Sequence, residues 1–183
     1  MTTKAELRAQ VRARRRARTD AERRQAAGRL AANAAVLVPA AASDIACYAS
    51  TAAEPGTDVL VTALRLAGYR LWLPRVVGTG LTWVRIEADT AWAQGPHGIR
   101  EPLGTGTPVL PGTTAVIFLP ALAVDRDGHR LGQGGGFYDR ALLDLPTHDD
   151  GGPLRAALVY ADEVLDAVPV EAHDLRVDAV VTD

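Results

Sequence analysis

The sequence predicts an α/β fold built on a mainly parallel sheet. Strand-like runs recur along the chain with helical segments between them, the pattern of strand–helix–strand units. One run, Thr114 to Leu119 (TAVIFL), is continuously apolar, as a strand covered on both faces should be. A glycine-rich stretch, Leu131 to Arg140 (LGQGGGFYDR), opens into a helix start, and parallel sheets bind ligands in such loops beyond the carboxyl ends of their strands. With 183 residues, 48% of them apolar, the chain is read as one domain over residues 1–183 with material for a full core.

Residues 3–38 read as a basic helical segment in two pieces. Alanine and arginine dominate, Thr19 and Asp20 mark a fresh N-cap, and Pro39 closes the run. Lys4, Arg8, Arg12 and Arg16 recur every four residues and form one slowly rotating stripe. The first 30 residues carry ten cations against three acids, and the rest ten arginines against nineteen acids, so the overall charge of −2 conceals a basic segment on an acidic body. An anionic ligand, a nucleic acid or a solvated face would each account for the stripe; the lack of interleaved aromatics weighs against nucleic acid.

Asp44–Ala49 (DIACYA) reads as a short buried strand, and Ser50–Thr57 as the loop beyond it. Asp58–Leu66 is a helix closed by Gly68, and Tyr69–Leu73 a second strand ending at Pro74 and Arg75. Leu81–Glu87 alternates like a strand with one exposed face, and residues 88–113 are Gly/Pro/Thr-rich loop. Thr114–Pro120 is the strongest strand, Ala121–Arg130 a loop, and Phe137–Asp144 a helix. Leu154–Tyr160 and Leu175–Val181 complete the sheet. The loops after Ala49, Leu73 and Leu119 would then share one end of the sheet, which is where a site is expected.

Four glycines in five positions, 132 and 134–136, allow a backbone to pass close to a flat or charged ligand. A helix start behind them adds unpaired N–H groups suited to an anion. Two familiar phosphate loops are excluded. A Walker A loop needs Lys behind the last Gly, where Phe137 stands, and Lys4 is the only lysine; the dinucleotide fingerprint needs a third Gly at that same position. Cys47 is alone, so an intrachain disulfide is excluded, and it reads as a small buried residue. Four histidines without ligand spacing (His97, His129, His148, His173) argue against zinc. No apolar run is long enough for a membrane span, and the Arg-rich start lacks the apolar segment of a signal peptide, so a cytoplasmic protein is expected.

The run PALAVDRDGHRLGQGGGFYDR, the ending HDLRVDAVVTD, the loop STAAEPGT and the opening KAELRAQVRARRR together resemble the 5-formyltetrahydrofolate cyclo-ligase family, also called methenyltetrahydrofolate synthetases. The resemblance runs from about Lys4 to Thr182, with 76–113 matching weakly apart from GIREP at 98–102. It implies a three-layer α/β sandwich related to sugar-phosphate isomerases and CoA transferases. It also implies an ATP- and Mg²⁺-dependent ring closure of 5-formyltetrahydrofolate. Arg130, Leu131, Gly132, Gln133, Gly134, Gly135, Gly136, Phe137 and Tyr138 would cradle the ATP phosphates, with Lys4 and Arg8 reaching the nucleotide from the N-terminal segment. Gln133 to Phe137 would also line the folate side, with Glu54 on the reduced pterin and Arg75 as a further contact. Asp139 would hold Mg²⁺ with Asp178 as a second carboxylate. Some members carry Lys where Gly135 stands here, so Arg130, Lys4 and the metal would supply that charge. The partners implied are ATP and the folate, with no membrane or nucleic acid, and a monomer is expected. An isomerase or CoA-transferase relative, or a basic-helix nucleic-acid module, are the competing readings.

Overall fold

The computed structural model describes residues 2–171 and 174–183, with the side chain of His97 excepted; His173 lies outside the described residues. In chain order the elements are α1 (Lys4–Ala17), α2 (Asp20–Ala35), β1 (Asp44–Ala46), α3 (Asp58–Leu66), β2 (Arg70–Val77), β3 (Gly80–Ile86), β4 (Trp92–Gln94), β5 (Arg100–Pro102), β6 (Gly106–Thr107), β7 (Thr114–Pro120), β8 (Ala123–Asp125), β9 (Arg130–Leu131), α4 (Phe137–Ala141), β10 (Leu154–Leu158), β11 (Val164–Leu165) and β12 (Ala179–Val181).

The N-terminal segment does break in two, and each piece starts with the same device. Thr3 and Thr19 accept from the backbone N–H of Glu6 and Glu22, and those carboxylates accept from the threonine N–H groups in return. The second helix stops at Ala35, short of Pro39. Leu37 and Val38 donate back only three residues, to Ala34 and Ala35, because the residue before a proline avoids helical geometry.

Seven strands form one sheet in the order β12-β10-β7-β1-β2-β3-β6. The first five pair in parallel, and β3 and β6 add an antiparallel edge. This is a mixed α/β fold with a large, mostly parallel central sheet. One face, with Ile45, Cys47, Leu71, Val116, Phe118 and Leu158, packs on Leu30 and Ala34 of α2 and Leu60 and Leu64 of α3. The other, with Ala46, Ile117, Leu119 and Ala157, is covered by Leu110, Leu142, Tyr138 and Leu145. The unbroken apolar run of β7 is thus explained by burial on both sides.

Several boundaries differ from the sequence reading. Strand β2 runs through Pro74 and Arg75 to Val77 rather than ending at Leu73. Pro74 shares the parity of Trp72, whose carbonyl accepts from Cys47 N at 3.0 Å, so its missing N–H faces the side where β1 has already ended. The stretch 121–130 is not all loop: β8 and β9 pair as a hairpin, and β11 joins it in a small second sheet. Within 88–113, β4 pairs with β5 and β6 joins the main sheet. Helix α4 is one turn, shorter than the expected 137–144.

Helix α1 packs outside the main sheet. Leu7 and Val11, one turn apart, bury against Leu122, Ala123, Leu131 and Val168 around the β8–β9 hairpin. Arg15, a turn further, makes a two-pronged ion pair with Glu163 (2.7 Å for both bonds) and donates to the Ala121 carbonyl at 2.6 Å. Both partners are 1% exposed, so the pair is sealed from solvent.

Candidate active site

A cleft of about 920 Å³ opens at the carboxyl ends of the central strands. Its lining comes from α1, from the segment after β1 (Tyr48, Ala49, Thr51, Glu54), from Pro74 and Val76 of β2, from Pro120, and from the whole run Arg130–Asp139. The three loops expected at one end of the sheet therefore do converge.

The helical stripe explains how α1 serves this cleft. With Leu7, Val11 and Arg15 turned inward, Lys4, Arg8 and Arg12 fall on the adjoining flank and line the cavity. Arg8 Nε donates to the Gly132 carbonyl at 2.9 Å, and Arg12 donates to the Gln133 carbonyl at 3.1 Å and its amide oxygen at 2.9 Å. Two arginines of the basic stripe thus hold the glycine loop by its backbone. In the sequence Arg12 is marked only by its place in the stripe, four residues from Arg8. Lys4 Nζ lies 2.6 Å from Asp174 and 3.3 Å from Glu171, which ties the start of α1 to the segment leading into β12.

The loop itself has the backbone its glycines imply. Gly134 has φ +108° and Gly136, the residue before α4, has φ +63°, conformations that side-chain-bearing residues avoid. Arg140 donates to the Gly135 carbonyl at 2.9 Å and to Thr79 at 2.6 Å, and its guanidinium lies 5.3 Å from the Phe137 ring. A Cβ at 135 would come 2.8 Å from that ring, so a side chain at this position would have to displace the phenylalanine. Tyr138 meets Trp83 edge-on at 6.3 Å. Burial, followed by the charge of Glu54, holds the Tyr48 and Tyr138 phenols well above their ordinary range, so both stay protonated. Burial pushes the Cys47 thiol up to about 12, which makes it inert.

Asp139 and Arg130 form the charged centre. Arg130 Nη2 donates to Asp139 Oδ1 at 2.6 Å, and Leu175 N donates to the same oxygen at 3.2 Å. The Arg130 side chain is only 4% exposed, and its buried Nε has no partner among the described residues. The β8–β9 turn presents this arginine. Asp125 accepts from the N–H groups of Asp127 and His129 on one oxygen, and from Val168 N and the His129 ring on the other. Burial opposes ionisation of Asp125, but those donors outweigh it and its pKa is lowered. Asp125, Asp127 and His129 have donor atoms close enough for a cation, yet the hydrogen bonds account for their arrangement as a turn.

Two expected site residues are placed elsewhere. Arg75 alternates with Pro74 and Val76, so it faces away from the cleft and donates to the Gly104 carbonyl at 3.1 Å. Asp178 accepts from Arg155 N at 2.7 Å at the amino-terminal edge of β10 and β12 and does not line the cleft. A strand position one residue off, or one on the wrong end, cannot be told from sequence spacing alone. Glu54 does line the cleft, with Oε2 accepting from Thr51 N at 2.8 Å and Thr51 Oγ1 at 3.1 Å. Sequence reasoning missed Glu101, which lines the cleft although it is 5% exposed; it lies in GIREP, a stretch noted for resemblance and not for chemistry.

A test of the residues against Mg²⁺ favours a single carboxylate. Such ions take one or two carboxylates and fill their remaining positions with phosphate oxygens and water. Asp139 fits that role at the cleft wall; Asp178, bonded to the backbone elsewhere, does not pair with it. No helix among the described residues is long and apolar enough to cross a membrane.

The profile of the 5-formyltetrahydrofolate cyclo-ligase family matches residues 1–183. The 5-formyltetrahydrofolate cyclo-ligase of Escherichia coli (strain K12) is 33% identical over 178 residues, covering 94% of this chain and 96% of that protein. The enzyme of the same name from Mycolicibacterium smegmatis is 37% identical over 148 residues, covering 75% of this chain and 72% of that one. The NMR structure of Aquifex aeolicus 5,10-methenyltetrahydrofolate synthetase superposes with a TM-score of 0.81 at 30% identity, over 99% of this chain and 90% of that one.

Proposed function

The chain belongs to the 5-formyltetrahydrofolate cyclo-ligase family, and on that premise we propose that the cleft performs the ATP-dependent closure of 5-formyltetrahydrofolate to 5,10-methenyltetrahydrofolate. The formyl oxygen attacks the γ-phosphorus of ATP and ADP leaves. The second folate nitrogen then attacks the activated carbon and loses its proton as phosphate departs. The observation that best supports this reading is the meeting of α1 and the glycine loop. Arg8 and Arg12 grip the loop carbonyls beside the Arg130–Asp139 pair, at the end of the sheet where a parallel fold binds ligands.

Phosphoryl transfer demands positioning and charge neutralisation more than a reactive side chain. Arg130, Lys4 and Arg8 bind the phosphates, with Arg130 bearing on the transferred group. The loop from Leu131 to Tyr138 packs along the nucleotide and, through Gln133 to Phe137, along the folate. Glu54 accepts N–H groups of the pterin. Mg²⁺ held by Asp139 supplies further charge neutralisation on the phosphates. Helix α4, a single turn, adds little dipole, so side-chain cations carry the anion site. The three-layer sandwich related to sugar-phosphate isomerases and CoA transferases belongs to the same proposal. The nucleic-acid reading of the basic stripe loses its ground, since Lys4, Arg8 and Arg12 turn into the cleft. A monomer in the cytoplasm is the accompanying expectation.

Mixing the protein with 5-formyltetrahydrofolate, ATP and Mg²⁺ should produce the near-ultraviolet absorbance of the methenyl product. The rise should need all three; a rise without ATP, or none at all, would refute the assignment.

A further inference from the structure

Glu101 is a carboxylate enclosed at the cleft wall. It sits on β5, 5% exposed, and Oε1 accepts from Val76 N at 3.0 Å. Among the described residues no cation forms an ion pair with it. Oε2 makes no hydrogen bond and is not among the sealed, unpartnered atoms, and it belongs to a residue that lines the cavity. Pro74, Val76, Leu81 and Ile99 line the cleft together with it, as does Arg100 beside it in the chain, and an enclosed carboxylate oxygen is costly unless a donor meets it. The position is built rather than incidental. A Cβ at Gly95 would lie 2.2 Å from the Glu101 carboxyl carbon, so a glycine on the paired strand segment makes room for the acid.

The charges of the cleft are thus divided. Lys4, Arg8, Arg12 and Arg130 provide a basic region for phosphates, whereas Glu101, which also lines the cleft, pairs with none of them. A carboxylate with one open oxygen calls for a ring bearing N–H groups and no negative charge. Adenine offers a single exocyclic amino group to such an oxygen, whereas a reduced pterin offers N–H groups at several edges, and the two are separated by comparing ATP with folate. We propose that Glu101 is a second folate-binding carboxylate, accepting an N–H of the reduced pterin on Oε2 while Val76 fixes Oε1. This rests on the cyclo-ligase reading above.

The test is direct binding of 5-formyltetrahydrofolate, without ATP, to the full-length protein and to Glu101→Gln. Glutamine keeps the shape and can still accept from Val76 N, but it can present an NH₂ to the ligand in place of an acceptor. The dissociation constant for the folate should rise roughly tenfold, the yield of one lost hydrogen bond to a charged group. That for ATP should stay unchanged, and the melting temperature should not fall. Gly95→Ala, which displaces the carboxylate without touching it chemically, should weaken folate in the same direction. Folate affinity of Glu101→Gln within twofold of the parent would overturn the inference. So would equal weakening of ATP and folate with a lowered melting temperature, the mark of a strand-packing role. Failure of the parent protein itself to bind the folate would overturn the cyclo-ligase reading, and this inference with it.

Discussion

Replacing Arg15 with Met tests whether α1 is a wall of the active site or only a neighbour of it. The substitution keeps an apolar stem like that of arginine and removes a guanidinium that makes two bonds of 2.7 Å to Glu163 and one of 2.6 Å to the Ala121 carbonyl. Glu163 is 1% exposed and would be left with a single hydrogen bond, from Tyr160 N at 2.9 Å. Removing one member of such a sealed pair costs about 3–5 kcal/mol, a large part of a typical domain's total stability. At 2–4 °C per kcal/mol for a chain of this size, the melting temperature should drop by roughly 6–20 °C. The double variant Arg15→Met/Glu163→Leu removes the stranded charge as well. It leaves only the Ala121 carbonyl and Tyr160 N–H without partners, so it should recover part of the loss. Because Lys4, Arg8 and Arg12 ride on the same helix, Arg15→Met should also raise the KM for ATP. Thermal melts and steady-state kinetics on the three proteins decide the matter. A loss below about 1 kcal/mol, or a double variant worse than the single one, would refute the reasoning.

Asp139→Ala should abolish turnover while far-ultraviolet circular dichroism stays unchanged; near-normal activity would remove the metal and charge-centre role. Gly134→Ala must force a side chain to φ +108° beside Arg8, at about 1–3 kcal/mol of local strain, so kcat/KM for ATP should fall at least tenfold with little change in melting temperature. Asp44 is held well below the usual carboxylate range, first by Arg70, against burial, and further by Thr113 and Trp72. Since its folded pKa is depressed, its contribution is present above the ordinary aspartate value of about 4 and is lost as pH falls through it toward the folded value. Asp44→Asn should therefore cost about 1–3 kcal/mol in urea unfolding at neutral pH, and the gap should begin to narrow below about pH 4 and go on shrinking at lower pH; an equal gap at about pH 2 would contradict this.

What could be read from the chain depended on whether a signal was local. The two N-terminal helices announce themselves through Thr3/Glu6 and Thr19/Glu22, and β7 through an apolar run that only a doubly covered strand would carry. The glycine loop was legible because its composition has no packing explanation. The hairpin of β8 and β9 was not, since its two short strands pair through a turn organised by Asp125, whose four bonds reach as far as Val168. Pro74 suggested a strand end, and the reason it does not end β2 lies in where β1 stops. Arg75 and Asp178 share the residue types of a phosphate or metal site, but side-chain direction and strand end are tertiary facts. Glu101 carried no local mark at all; it becomes visible only once β5 is laid against β2.

The grip of α1 on the glycine loop spans 124 residues between Arg8 and Gly132, and 121 between Arg12 and Gln133. Contacts that distant along the chain have to wait for the loops between them to close, whereas β1, β2 and β3 can pair from near neighbours. The binding surface is therefore expected to form after the sheet, with α1, which packs outside that sheet, opening as a unit of its own. Amide hydrogen exchange should report this as a separate, less protected unit covering α1, slowed when ATP spans the helix and the loop together.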